Sequence, residues 1–156
     1  MRSGFTLIEL VIVITILGIL SVVAMPNLDS IASARTDMAA WKLAADLRYA
    51  RAMALATHTA TSVLYDPALE KYTVYSNNGA STVAKNPVTQ TAAGFIVTFG
   101  SGAYSRVAIG TATFGADAKL IWDAEGFPDS GGTLTLTGNG VTHTITVTTA
   151  GRVQVN

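Results

Sequence analysis

The rhythm of hydrophobic and polar positions changes twice along the chain. From Phe5 to Met25 the run FTLIELVIVITILGILSVVAM is apolar for 21 residues. As a helix it would be about 31 Å long, enough to cross a bilayer core of about 30 Å. From Asn27 to about Thr57 the pattern turns amphipathic. Leu28, Ile31, Ala34 and Met38 recur at helical spacing, followed by Ala40, Leu43, Leu47, Ala50 and Ala54, with Arg35, Asp37, Lys42, Asp46 and Arg48 interleaved. This predicts the second half of one long helix whose apolar stripe packs on a sheet, with many alanines letting the sheet approach closely. Beyond it Thr61 to Tyr65 and Tyr72 to Tyr75 alternate and read as strands, and further short strands are expected at Phe95 to Phe99, Arg106 to Ile109, Leu120 to Trp122, Leu134 to Leu136, Thr142 to Val147 and Arg152 to Val155. Asp66 to Lys71 reads as a hairpin turn, Gly138-Asn139-Gly140 as a tight turn, and the polar stretch from Asn77 to Ala93 as a surface loop. The expected fold class is α+β, a long N-terminal helix packed on antiparallel β-sheets.

Two residues disturb the apolar run. Glu9 is its only charge, and an acid inside a membrane helix costs about 2.5 kcal/mol or more near the centre unless it has a partner. A cut between Gly4 and Phe5 would create one, because the new α-amine would lie one helical turn from Glu9. Pro26 removes a backbone donor and leaves the Val22 carbonyl without its helical partner, while Gly18 and Ser21 weaken the same turns. Gly18 to Pro26 is therefore a candidate hinge, or else a fixed bend at the membrane surface.

Composition narrows the function. Ten Lys and Arg balance ten Asp and Glu, and losing a leader with Arg2 leaves the side chains at −1. That gives no broad electrostatic attraction to nucleic acid or anionic lipid. The 49% hydrophobic content and mean hydropathy of +0.40 are inflated by the N-terminal run. With no Cys there is no disulfide, thiolate metal site or cysteine nucleophile. The body is rich in Thr, Gly, Ala and Val and poor in charge, which suits a β-rich extracytoplasmic domain.

The string GFTLIELVIVITILGIL, after a short basic leader ending in Gly4, resembles the class III signal of type IV pilins and type II secretion pseudopilins. The resemblance implies cleavage after Gly4 by a prepilin peptidase and methylation of the Phe5 amine. It also implies a single-pass bacterial inner-membrane helix with a periplasmic C-terminal domain. An inner-membrane assembly platform would then extract the helix into a filament, where Glu9 pairs with the Phe5 amine of a neighbouring subunit. Two other readings are an ordinary secretory signal cleaved at Val22-Val23-Ala24 and a plain signal anchor. The first would have a shorter apolar part without an acid, and the second gives Glu9 no purpose.

Two further stretches resemble the GspH and FimT-like minor pilins and pseudopilins. In LAADLRYARAMALATHTATSVLYD, residues Leu47, Ala50, Arg51 and Ala54 and the strand through Val63 match an "L..AR..A" helix end. Arg51 could equally be a helix residue favourably placed against the C-terminal dipole and nothing more. Residues 120 to 155 resemble the end of GspH-type domains, with a glycine turn at Gly126, a hairpin, and Gly151-Arg152-Val153. The middle, from about 76 to 119, has no counterpart, and the lack of Cys departs from the C-terminal disulfide of many pilins.

The implied organisation is a leader at 1–4, a transmembrane and filament-core helix at 5–26, an amphipathic helix half at 27–57 and a β-rich domain at 58–156. The implied function is that of a structural subunit of a type IV pilus or type II secretion pseudopilus, of the minor GspH/FimT-like kind, whose partners are other pilin or pseudopilin subunits. Alternatives are a tip-located subunit for DNA uptake or adhesion, or a major pilin. Nucleic acid is not an expected partner, because the Gly-Arg motif supplies only Arg152 where phosphate binding draws on several cations. No GxSxG, HExxH or P-loop appears, so no enzyme activity and no cofactor are expected. His58 and His143 read as ordinary surface or strand residues. Asp123, Glu125 and Asp129 around a Gly and Pro turn form a calcium candidate whose spacing matches no defined site.

Overall fold

The computed structural model describes residues 6–23, 28–77, 82–90, 94–115 and 117–156, with the side chains of 23 and 28–32 also outside the description. The chain separates into two compact units, Met1–Ser30 and Ile31–Asn156. In the first unit, α1 (Leu7–Val23) runs unbroken through Gly18. Thr6 starts it, accepting backbone N–H groups of Glu9 at 3.1 Å and Leu10 at 3.2 Å on its carbonyl. The Thr15 hydroxyl donates to the carbonyls of Val11 and Ile12, and that of Ser21 to Leu17 at 2.7 Å, so both are absorbed by the helix itself. Among the described residues no helix is long and apolar enough to cross a membrane. The expected span of 5–26 extends at both ends into residues outside the description, as does the expected continuity through Pro26.

In the second unit, α2 (Leu28–Thr57) is the spine. Its inner face is Ala39, Ala40, Leu43, Ala44, Leu47, Ala50 and Ala54, all fully buried in the core. The expected stripe is corrected at its start: Ala34 is exposed and Met38 is 58% exposed. At 100° per residue Met38 lies about half a turn round the helix from Leu47, so the two cannot share a face. Leu28 and Ile31, expected on the same stripe, have side chains outside the description. The helix ends at His58, whose φ of 49° is left-handed.

Among the described residues eight strands follow: β1 (Thr61–Asp66), β2 (Lys71–Tyr75), β3 (Ile96–Thr98), β4 (Val107–Ala112), β5 (Lys119–Trp122), β6 (Gly132–Gly138), β7 (Val141–Val147) and β8 (Val153–Val155). They form two antiparallel sheets of four strands, ordered β3-β2-β1-β5 and β4-β6-β7-β8. The turn after β1 is built by Asp66, whose carboxylate accepts the Leu69 N–H at 3.1 Å, and by Glu70 at φ 48°. Between β6 and β7, Gly138 pairs with Val141 across Asn139 and Gly140, both left-handed, which is the two-residue hairpin that the Asn-Gly pair favours. Of the loop expected from Asn77 to Ala93, Ala84 is drawn inside instead. It donates to the Val74 carbonyl at 2.8 Å and accepts the Phe95 N–H at 2.7 Å, extending the first sheet beyond β2.

The core joins the alanine face of α2 to both sheets through Tyr72, Phe95, Phe99, Phe114, Trp122, Leu134, Leu136 and Ile145. At the start of α2 the contact is close: the Thr36 hydroxyl donates to the Gly138 carbonyl at 3.3 Å, and a Cβ on Gly138 would lie 2.4 Å from that hydroxyl. Because Ala44 is fully buried, Ala44→Leu should overpack the helix face and lower stability by roughly 1–3 kcal/mol. Denaturant unfolding checks this, and an unchanged midpoint would show spare room beside α2.

Candidate functional site

Two places bring together residues that the sequence singles out. The first is the start of α1. Thr6 and Glu9 stand at the N-cap and third helical positions, the spacing of a capping box, and the Glu9 N–H lies 3.4 Å from the Thr6 hydroxyl. An acid there is favoured by the helix dipole, so Glu9 helps to start the helix whatever else it binds. Twelve large apolar side chains of α1, from Leu7 to Val22, are 42% to 82% exposed, and Glu9 is its only charge. Gly4, Phe5 and Pro26 lie outside the described residues, so the cleavage site, the amine partner of Glu9 and the far end of the candidate hinge do too.

The second place is the far end of α2, where Arg51 joins both sheets. Its Nε donates to the Gly126 carbonyl at 2.8 Å and its Nη1 to the Gly151 carbonyl at 3.0 Å. The guanidinium also stands 6.0 Å from the Trp122 ring centroid, within cation–π range. Gly126 follows β5 at the edge of the first sheet, and Gly151 precedes β8 at the edge of the second. Both are left-handed, at φ 77° and 78°, and a Cβ on Gly151 would lie 3.1 Å from the Arg51 guanidinium carbon. The dipole reading of Arg51 is therefore replaced: it lies before the last turn of α2 and works as a two-carbonyl clamp. Arg48 adds a third bond, to the Val153 carbonyl at 2.9 Å. The "L..AR..A" helix end, the Gly126 turn and the Gly-Arg-Val end are three pieces of one contact.

Two of the three acids of the 123–129 turn are occupied with the backbone. The Asp123 carboxylate accepts the N–H groups of Glu125 at 3.1 Å and Phe127 at 2.7 Å, and that of Asp129 accepts the Ile121 N–H at 3.0 Å. Among the described residues no group of three metal-ligating side chains converges. His143 pairs with Asp37 at 2.6 Å, tying β7 to the first turns of α2, a partner nothing in the sequence pointed to. Asp46, nearly buried, accepts the Tyr72 hydroxyl and pairs with Lys42. Burial, then the Asp46 charge, holds the Tyr72 phenol well above the ordinary tyrosine range, and burial does the same to Tyr65. The Tyr65 hydroxyl is buried with no hydrogen-bond partner among the described residues.

The family model described as Type II transport protein GspH matches residues 39–151, from the first buried alanine of α2 to the Gly151 end of the clamp. The chain belongs to the GspH family. Residues 1–25 match the prokaryotic N-terminal methylation motif, which marks this GspH-family chain as a prepilin-type, membrane-anchored protein. Two crystal structures of the Pseudomonas aeruginosa (strain PAO1) type IV minor pilin FimU, in space groups P65 and P21, share its fold. Each gives a TM-score of 0.53 over 77% of this chain, at 20% identity over 91% of the first FimU chain and 21% over 87% of the second. No curated protein matches. The family and the fold are those of pilin-type structural subunits, which assemble with other subunits into a filament.

Arg51→Ala should leave two carbonyls without their charged donor and lower stability by about 2–3 kcal/mol, and Arg51→Lys should restore only part of this because an ammonium cannot span both. Equal stability of Arg51→Ala and the parent in urea would refute the clamp. The tyrosines set an alkaline limit. Their folded pKa values are raised above the unfolded value of about 10, so stability is full below about pH 10 and falls as pH rises above it. The slope is about 1.4 kcal/mol per pH unit for each phenol held protonated. Tyr65→Phe, which removes an unpartnered hydroxyl, should be neutral or stabilising at pH 7 and flatten this slope, as unfolding midpoints from pH 9 to 12 would reveal.

Proposed function

We propose that this GspH-family chain is a minor subunit of a type IV pilus or type II secretion pseudopilus. It would be held in the inner membrane through α1 until assembly, with its β domain on the periplasmic side. Prepilin peptidase would cut between Gly4 and Phe5, the Phe5 amine would be methylated, and an inner-membrane platform would move the subunit into the filament. Glu9 would pair there with the Phe5 amine of a neighbour, and Gly18 to Pro26 would supply the hinge. The observation that carries this reading is the single carboxylate at the start of a helix whose large side chains are all apolar, within a matched methylation motif. An amine one turn away answers the charge that α1 otherwise leaves unanswered.

One observation weighs against the DNA-uptake alternative. Arg48 and Arg51, whose guanidinium groups donate to the carbonyls of Val153 and Gly151 on either side of Arg152, are occupied with the backbone. The chain itself would catalyse none of these steps.

Glu9→Leu should leave membrane insertion and cleavage intact but reduce the amount of the chain in sheared filaments. Fractionation, sequencing of the mature N-terminus and filament mass spectrometry read the three steps separately. Normal incorporation of the variant would remove the pairing role, and a mature N-terminus other than Phe5 would remove the processing step.

A further inference from the structure

The chain has no cysteine, so the side chains left to meet a two-electron oxidant first are its thioethers. Of the four methionines, Met1 precedes the Gly4–Phe5 bond and Met25 lies outside the described residues. The other two differ in their surroundings. Met53 is partly buried and packed against the core, whereas Met38 is 58% exposed. Ala34, Met38, Trp41 and Ala45 follow one another at spacings of four, three and four residues, so they share a narrow strip of α2, and all four are exposed. Asp37 and Lys42 flank the strip and are paired with His143 and Asp46, and Arg48, one turn past Ala45, is bonded to the Val153 carbonyl. Between Ala34 and Ala45 the strip therefore holds no hydrogen-bond acceptor stronger than the thioether itself.

We propose that Met38 is an oxidative modification site that takes one oxygen atom from a hydroperoxide. A sulfur lone pair attacks one peroxide oxygen as the O–O bond breaks, so the thioether is oxidised by two electrons to a sulfoxide. With hydrogen peroxide the second oxygen leaves as water and carries away both hydrogens. The sulfoxide oxygen is a strong acceptor, and it turns an apolar strip of the helix polar. The fold is left alone, because Met38 lies half a turn round α2 from Leu47 and contributes nothing to the core. The same exposure leaves the product open to methionine sulfoxide reductases, one enzyme for each epimer, so the change is reversible. Its setting rests on the proposed function, which puts the domain outside the cytoplasm and away from the thiol pool that scavenges peroxide. The reactivity itself is a property of the fold.

The test treats the full-length chain, purified in detergent, with dilute hydrogen peroxide and maps the added oxygen by peptide mass. The Met38 peptide should gain one oxygen several-fold faster than the Met53 peptide, with fragment spectra placing it on Met38 and not on Trp41. A pair of reductases, one for each epimer, should remove it from the folded chain. The chain oxidised at Met38 should unfold at the parent's thermal midpoint, and Met38→Leu, which keeps the apolar volume, should take up one oxygen fewer. Equal or faster oxidation of Met53, an oxygen on Trp41 instead, a sulfoxide closed to the reductases or a lowered midpoint would each overturn the proposal. Where the purified chain reacts as expected, a chain recovered unoxidised from peroxide-treated cells would count against its place outside the cytoplasm and not against the site.

Discussion

A guanidinium has a fixed planar fork, and in this protein the fork of Arg51 reaches a carbonyl at the end of each sheet, so the position of one helical residue sets where two sheets can end. The constraint runs outward from there. Trp122 must close β5 beneath the cation, and the two carbonyls must turn towards it, which the left-handed glycines at 126 and 151 allow. At the other end of α2, Thr36 on Gly138 and Asp37 on His143 hold the β6–β7 hairpin. Between the two ends the alanine face is buried without a gap. A helix pinned at both ends to the same sheet system can carry a load along its axis, which is what a filament subunit has to do.

Much of this fold was legible in the sequence because it depends on local chemistry. Alternation of period two placed the strands, and the Asn-Gly pair fixed the β6–β7 hairpin with its register. The partition into two sheets was not legible, since β1 takes β5 as a neighbour across more than fifty residues and no local signal selects that partner. The two-sided character of α2 was also hidden. Alanine and methionine fit either face, so inner and outer stripes merge into one apparent periodicity, and Met38 was read onto the wrong one. The role of Arg51 escaped because a backbone carbonyl has no residue identity, so the partner of the guanidinium leaves no mark except the glycines that let it turn. The family pattern recorded that contact before its physics was visible.

The two helices answer different environments with different surfaces. In α1 hydroxyls are returned to the helix and one acid remains, placed where the dipole and the Thr6 cap already favour it. A carboxylate costs least at that point of the helix. In α2 the described charges are paired within the domain: Arg48 and Arg51 bond to carbonyls, Lys42 pairs with Asp46, and Asp37 with His143.

A filament subunit has to keep its sheets from pairing with those of other copies, because an open strand edge is a template for pairing. Three of the four edges are closed by side chains acting on outward backbone groups. Glu70 accepts the Ile109 N–H of β4, Asp129 accepts the Ile121 N–H of β5, and Arg48 donates to the Val153 carbonyl of β8. The fourth edge, β3, is only three residues long. The Asp129 contact gives one acid of the 123–129 turn a purpose that needs no metal: it ends the first sheet. In this chain without cysteine, Arg48 and Arg51 hold the β8 end and the β5 turn to the spine through three hydrogen bonds to carbonyls.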